Sequence, residues 1–344
     1  MHKTLVTLAA ASGLAVMLAS GPVAAQGKTL TISWWGFNGE KLDQYIVKPF
    51  QEKCGCTLVF ETGNNADRLN KIKIRNGEGV DVAYFTDSYS QIGIEEGLFQ
   101  KVDPSKIPNL AGIYDLSKDP QGGYGPAYTI GRVGIIYDSA KVNPPITAWA
   151  DIWRPDLKGH LSLPNITTTS GPMVVLLAGE KAGGDAYADA APAFEQIKAL
   201  KDGVVKNYNT GSELVNLFST GEVTASIAQD FTLGQLQKAV PTIVWAQLPD
   251  AIATLNTVNI PKGSQNVELA HEFINFILDP KLQQTLAENG VDAPVAKDVK
   301  LTPEQAKMWT YGADMVNNLK RLDYSKLNAA KTAWIDEWNE IFGM

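Results

Sequence analysis

Arg132 sits between Gly131 and Gly134 among apolar neighbours, Ile130, Val133, Ile135 and Ile136. A guanidinium is always charged, and its planar fork of donors needs acceptors. In such a run it has either an internal acid, such as Asp138, or an anionic ligand. The second such feature is the stretch Thr168-Thr169-Ser170-Gly171 ahead of Pro172. Free backbone N–H groups and hydroxyls at a helix start suit an oxyanion, although the same residues make an ordinary helix cap. Arg132 and the Thr169–Gly171 start together could grip one anion. Asp87 and Asp230 each follow a β-rich run and could receive an ammonium, or serve as turn residues. Trp35, Phe37, Tyr128 and Tyr208 could stack on an alkyl chain or face a cation, or pack in the core. Thr254 and Asn256 add neutral hydrogen-bonding groups.

Enzyme motifs are largely missing. After residue 25 only His160 and His271 remain, and the helix-like HEFIN around His271 lacks the second histidine of a zinc protease. There is no nucleophile elbow, P-loop or dinucleotide fingerprint. No enzyme, cofactor or metal site is expected. A formal net charge of −7 with no basic run argues against nucleic acid as a partner. Cys54 and Cys56 are separated by one glycine, which leaves a strained local bridge and two inert thiols as alternatives. Two ligands fall short of a structural zinc site.

Several elements must position these groups. Residues 1–25 begin with His2 and Lys3, continue in an alanine-rich apolar run and end in Val23-Ala24-Ala25. They read as a secretory signal peptide cleaved after Ala25, so the product is expected to be exported, soluble and periplasmic. The remainder is long enough for two α/β domains. Strands are expected at 29–34, 57–61 and 80–85, with helices at 40–52, 66–75 and 90–96 between and after them. That alternation points to a parallel sheet covered by helices. Gly125 to Lys141 reads as a β-rich segment crossing into a second α/β region, with Arg132 facing the cleft between the two. Further strands are expected at 161–163, 223–228, 242–247 and 257–260. Helices are expected at 149–159, 173–178, 187–200, 212–219, 232–239 and 267–278. The tail from 302 to 342 reads as helical and aromatic-rich, packing on the outside. Ligands in open α/β sheets bind beyond the carboxyl ends of the strands, which is where the candidate residues fall.

The signal peptide, ISWWGFNG, GVDVAYFTDSYSQIGIEEGLFQKVD, AYTIGRVGIIYDSAKV, WADIWRPDLKG, FSTGEVTASIAQD, VNIPKGSQN and AHEFINFILDPKLQQTLAENG together resemble the periplasmic solute-binding proteins of ABC importers. The branch they resemble is the spermidine/putrescine type, neighbour to ferric-ion and aminophosphonate binders. The resemblance covers nearly all of residues 28–300. It implies an α/β, two-lobed periplasmic binding protein fold of type II, with mixed sheets and crossing hinge strands. It also implies a monomer that delivers its ligand to a membrane-embedded ABC permease. Lobe 1 would be 26–137 plus 250–300, lobe 2 would be 138–249, and 301–344 would be C-terminal helices.

Polyamine binders of that branch carry an aromatic and an aspartate just before the strand that ends here in VNIP; this chain has Thr254 and Asn256. It has Gln229 where an aromatic is expected, and no Tyr-Tyr pair of a ferric binder. The ligand expected from these departures is a small amine-bearing anion, an ω-amino acid such as γ-aminobutyrate or an aminophosphonate. Arg132 and Thr169, Ser170 and Gly171 would hold its anion, and Asp230 or Asp87 its ammonium. Trp35, Phe37 and Tyr128 would sandwich the chain, with Asn256 nearby. A polyamine is the alternative; a ferric ion or the substrate of an exported two-lobed hydrolase ranks lower.

Overall fold

The computed structural model describes residues 28–36 and 39–343. The signal peptide and Phe37 lie outside the described residues. Three parallel strands open the chain: β1 (Thr29–Trp34), β2 (Thr57–Thr62) and β3 (Val82–Thr86). Leu30, Ile32, Ser33 and Trp34 are all buried, as expected of a strand covered on both faces. After β1 come three helical turns that adjoin one another, Gly39–Leu42, Asp43–Val47 and Lys48–Cys54, the middle one a π-turn. Cys54 and Cys56 at their end are joined by a disulfide. Helix α1 (Asn65–Ile74) connects β2 to β3, and α2 (Asp87–Glu95) begins directly after β3. The expected start of α2 at Ser90 was three residues late, so Asp87 is a helix residue. The short β4 (Phe99–Gln100) then pairs with a later strand.

The crossing segment is a single twelve-residue strand, β5 (Ala127–Asp138). After it come β6 (Leu161–Pro164), α3 (Gly171–Lys181), α4 (Ala191–Leu200), β7 (Val204–Tyr208), α5 (Gly211–Ser219), β8 (Ala225–Gln229), α6 (Leu233–Ala239) and β9 (Ile243–Trp245). Residues expected as one helix at 149–159 form two separate 3-10 turns, Trp149–Trp153 and Pro155–Leu157. The return strand β10 (Ile252–Pro261) is longer than expected. Helices α7 (Val267–Ile277) and α8 (Pro280–Glu288) follow. The expected stripe of α7, Leu269, Ala270, Phe273, Ile274 and Ile277, is the buried one. Asp279 caps α8 by accepting from the backbone N–H groups of Lys281 and Leu282. The tail holds short helices at Pro303–Ala306 and Ala313–Asn317, then α9 (Tyr324–Phe342).

Sheet order is β2-β1-β3-β10-β5-β8-β6-β7, with β4 on β10 and β9 on β5. Among the described residues only the strands β5 and β10 run through both halves. The first half of β5 pairs antiparallel with β10, and its second half, Val133 to Tyr137, pairs with β8. Gly131 and Gly134 allow this crowding. A Cβ on Gly131 would lie 2.7 Å from Asp230 Oδ1 and 2.9 Å from Thr254 Oγ1, and one on Gly134 would lie 2.8 Å from the Trp245 ring.

The cores divide at the same place. One draws on β1, β3, the start of β5, the end of β10, α7 and α8, with a smaller cluster under α1. The other draws on Val133 and Ile135 of β5, on β6, α3 and α4, and on α9, which adds Tyr324, Leu327, Trp334, Trp338 and Ile341. A third cluster lies under α5 and α6. Trp338 is fully buried in the second core. Trp338→Ala is expected to cost about 3–5 kcal/mol of stability, measured by urea unfolding; a loss under about 1 kcal/mol would mean that α9 merely decorates that core.

Candidate functional site

Successive residues of a strand point to opposite faces. The β5–β10 register therefore sorts the candidates. Thr254 lies opposite Gly131, and Asn256 opposite Thr129; Asn256 also lies opposite Thr86 of β3. These residues share one face of the crossing pair. Arg132 lies opposite Ala253, on the other face.

The Thr254–Asn256 face adjoins a wall of aromatic and polar groups at the carboxyl ends of β1 and β3. Trp35 donates its indole N–H to Asn65 Oδ1 at 3.0 Å, and Asn65 reaches Thr86 Oγ1 at 3.4 Å. The fully buried Arg68 lies beneath them. Its guanidinium donates to the carbonyls of Tyr84 at 2.6 Å and Gly63 at 2.9 Å, and to Asn65 Oδ1 at 2.9 Å. It stacks 4.9 Å from the Trp35 ring and 4.7 Å from that of Phe85. Burial without an acid partner lowers its pKa to about 10. Tyr84 meets Trp35 edge-on at 6.1 Å and Tyr128 at 4.7 Å.

Asp292 adjoins this cluster. Its neighbour Ala293 is held to the hinge by Thr129, whose hydroxyl donates to the Ala293 carbonyl at 2.8 Å. Asp292 is partly buried, and burial alone pushes its carboxyl up to about 7. No ion pair or hydrogen bond to its side chain occurs among the described residues. Its charge reaches the Tyr84 and Tyr128 hydroxyls, which are held well above the usual phenol range, mainly by burial.

The other two aspartates have different surroundings. Asp87 is buried and accepts from the backbone N–H groups of Leu255 and Ser88, both at 3.0 Å. Burial outweighs these donors and raises it to about 7. It lines a cavity of about 160 Å³ with Gln121, Arg321 and Tyr324. Asp230 is buried, accepts a short bond from the Thr310 hydroxyl and is also met by the backbone N–H groups of Arg132 and Phe231. Burial still raises it to about 6. It lines a cavity of about 420 Å³ whose walls are Phe231, Gln235 and Lys238 on one side and Gly290, Met308 and Trp309 on the other. Phe231 is 67% exposed there.

Arg132 has no acid within ion-pair reach among the described residues, Asp138 included; Asp138 pairs with Lys141 at 3.8 Å. The guanidinium lies 5.1 Å over the Trp245 ring, and Nη1 donates to Met315 Sδ at 2.6 Å. The Thr169–Gly171 start has its own partners. Gly171 N–H donates to Thr168 Oγ1 at 3.1 Å, and the Thr168 hydroxyl donates to the Asn165 carbonyl at 2.7 Å. Ser170 is buried beside Tyr208, and Thr169 is half-buried with no side-chain bond among the described residues. Arg132 and this helix start share neither a contact nor one of the three cavities. The structure thus gathers Trp35, Tyr128 and Asn256 on one side of the hinge, and leaves Asp87, Arg132 and Asp230 lining three separate cavities.

Sequence reading missed Arg68 and Asp292. Arg68 reads as one more charge in a basic helix. Asp292, in NGVDAP, reads as a turn residue.

Residues 45–313 match the family described as bacterial extracellular solute-binding protein. A crystal structure of an ABC transporter from Clostridium perfringens is 39% identical, with a TM-score of 0.85 over 91% of this chain and 99% of that one. The spermidine/putrescine-binding periplasmic protein of Salmonella typhimurium is 27% identical over 87% of each chain. A gamma-aminobutyric acid-binding protein of Pseudomonas aeruginosa is 26% identical over 79% of this chain and 78% of its own length. The sheet order, the crossing strands and this match agree: the fold is that of the two-lobed periplasmic binding proteins, and the chain belongs to the bacterial extracellular solute-binding protein family.

Proposed function

We propose that this chain is the periplasmic receptor of an ABC importer and that it captures a linear aliphatic amine, first of all a polyamine. The observation that carries this reading is Asp292, a carboxylate without a cationic partner among the described residues, whose charge reaches Tyr84 and Tyr128, with Trp35 meeting Tyr84 edge-on. Burying an unpaired carboxylate is costly; an alkylammonium would supply the missing charge, and the rings would cover its methylenes. The likeness to spermidine/putrescine-binding relatives supports the same class. A second reading, an ω-amino acid, is favoured by two observations. Thr254 and Asn256 offer neutral donors in place of a second carboxylate, and Asp230 is already engaged by Thr310 and by backbone N–H groups. The amine end is common to both readings.

In this proposal lobe 1 is 26–137 with 250–300, lobe 2 is 138–249, and the C-terminal segment binds to both. The receptor acts as a monomer and passes its solute to a membrane-embedded permease. Closure about β5 and β10 brings Thr169 and Phe231 of lobe 2 toward the amine. The solute shifts the open–closed balance only by contacts that are better in the closed state.

Titration calorimetry with putrescine, spermidine and γ-aminobutyrate tests the reading. At least one is expected to bind, and Asp292→Asn is expected to weaken it by roughly 10- to 100-fold. Unchanged affinity in that variant would remove the proposed anchor. Affinity in the parent should fall about tenfold per unit as pH drops below about 7, because protonation neutralises the carboxylate; in Asp292→Asn the profile should be flat.

The unliganded protein gives an independent check. An acid with a raised folded-state pKa holds its proton more tightly in the native state, so its cost appears as pH rises toward that value. At pH 8 Asp292→Asn is therefore expected to melt higher than the parent, by roughly 2–4 °C. The difference should shrink as pH falls below about 7 and vanish only below the ordinary aspartate value of 3.8. A lower melting temperature at pH 8 would mean that Asp292 has a stabilising partner.

A further inference from the structure

The C-terminal segment crosses the hinge from the Gly131–Thr254 face to the Arg132 face. Thr310 bonds Asp230 at the β5 edge, Met315 meets Arg132 over the face opposite Thr254 and Asn256, and the Lys320 backbone pairs with Ala251 and Ala253 at the β10 edge. Between this strap and the loop after β9 lies a cavity of about 280 Å³, lined by Arg132, Trp245, Gln247, Leu248, Met315 and Asn318 among others.

Arg132 is under-supplied with acceptors in this setting. A guanidinium has donors in a rigid fork suited to a carboxylate. Its only side-chain acceptor among the described residues is a thioether, a weak one. The Trp245 ring covers one face at 5.1 Å. The Asp230 charge is felt at Arg132, but Asp230 is engaged with Thr310 and backbone N–H groups and forms no ion pair with it. An acid, Asp314, also lines the cavity, but it is exposed to solvent. The walls otherwise combine apolar side chains with the Gln247 amide.

We infer that this cavity is a second binding site, for a small monocarboxylate held by the free donors of Arg132. It lies on the opposite face of the crossing strands from the proposed amine site. Its occupant would pack against the strap on one side and the loop after β9 on the other, tying the C-terminal segment to lobe 2.

Trifluoroacetate is a suitable probe, observed by fluorine NMR with the full-length mature protein. The expected result is saturable line broadening that is at least tenfold weaker in Arg132→Gln and unchanged in Asp292→Asn or on adding putrescine. Met315→Leu removes the competing thioether and is expected to tighten binding about threefold, which keeps the inference testable if Arg132→Gln fails to fold. No broadening with the parent protein, equal binding by a folded Arg132→Gln, displacement by putrescine, or unchanged or weaker binding by Met315→Leu would each overturn it. The amine proposal stands or falls separately, because it invokes neither Arg132 nor Met315.

Discussion

The antiparallel ladder between β5 and β10 is the constraint on which the rest depends. Among the described residues these are the only strands common to both halves, so a displacement of one half against the other bends this pair. Their period of two also decides which side of the molecule each hinge residue serves. Gly131 and Thr254 face one way, and Arg132 and Ala253 the other. A one-residue slip in this register would exchange the two sets. Gly131 and Gly134 help to hold it, since a side chain at the first would collide with Thr254 of β10 and with Asp230 just after β8, and one at the second with Trp245 of β9.

Desolvation then distinguishes the polar groups around that ladder. Arg68 is fully buried and Asp292 partly buried, each without an opposite charge, yet they differ in kind. Arg68 spends its donors on main-chain carbonyls and its flat faces on two aromatic rings, so it is a structural tie between α1, β1 and β3. Asp87 and Asp230 likewise spend their oxygens on backbone N–H groups and a hydroxyl. Asp292 has no such return for its burial. A residue that the folded chain leaves uncompensated is where an added molecule gains most.

Much of the fold was legible because it depends on local period. The early alternation of strand and helix and the apolar stripe of α7 need no long-range information. The first half of β10 was not legible, because Thr254 and Asn256 break the apolar pattern that marked 257–260. Arg132 was conspicuous in a greasy strand, but its face was not: that follows from its parity against a partner far away in sequence. Tyr128 and Trp35 were recognised as ambiguous aromatics, and what brings them together is Tyr84 on a third strand. Asp292 carried no signal at all, since its surroundings are assembled by tertiary packing of β3, β5 and the loop after α8.

The place of α9 in the second core has a consequence for the order of events in the cell. Tyr324, Leu327, Trp334, Trp338 and Ile341 complete a cluster whose other members begin at Val133. A polypeptide emerging from its N-terminus therefore cannot finish that core until residues 324–341 have been made. Until then a broad greasy surface on α3 and α4 stays uncovered. Such delayed completion makes α9 the last element that the second core receives.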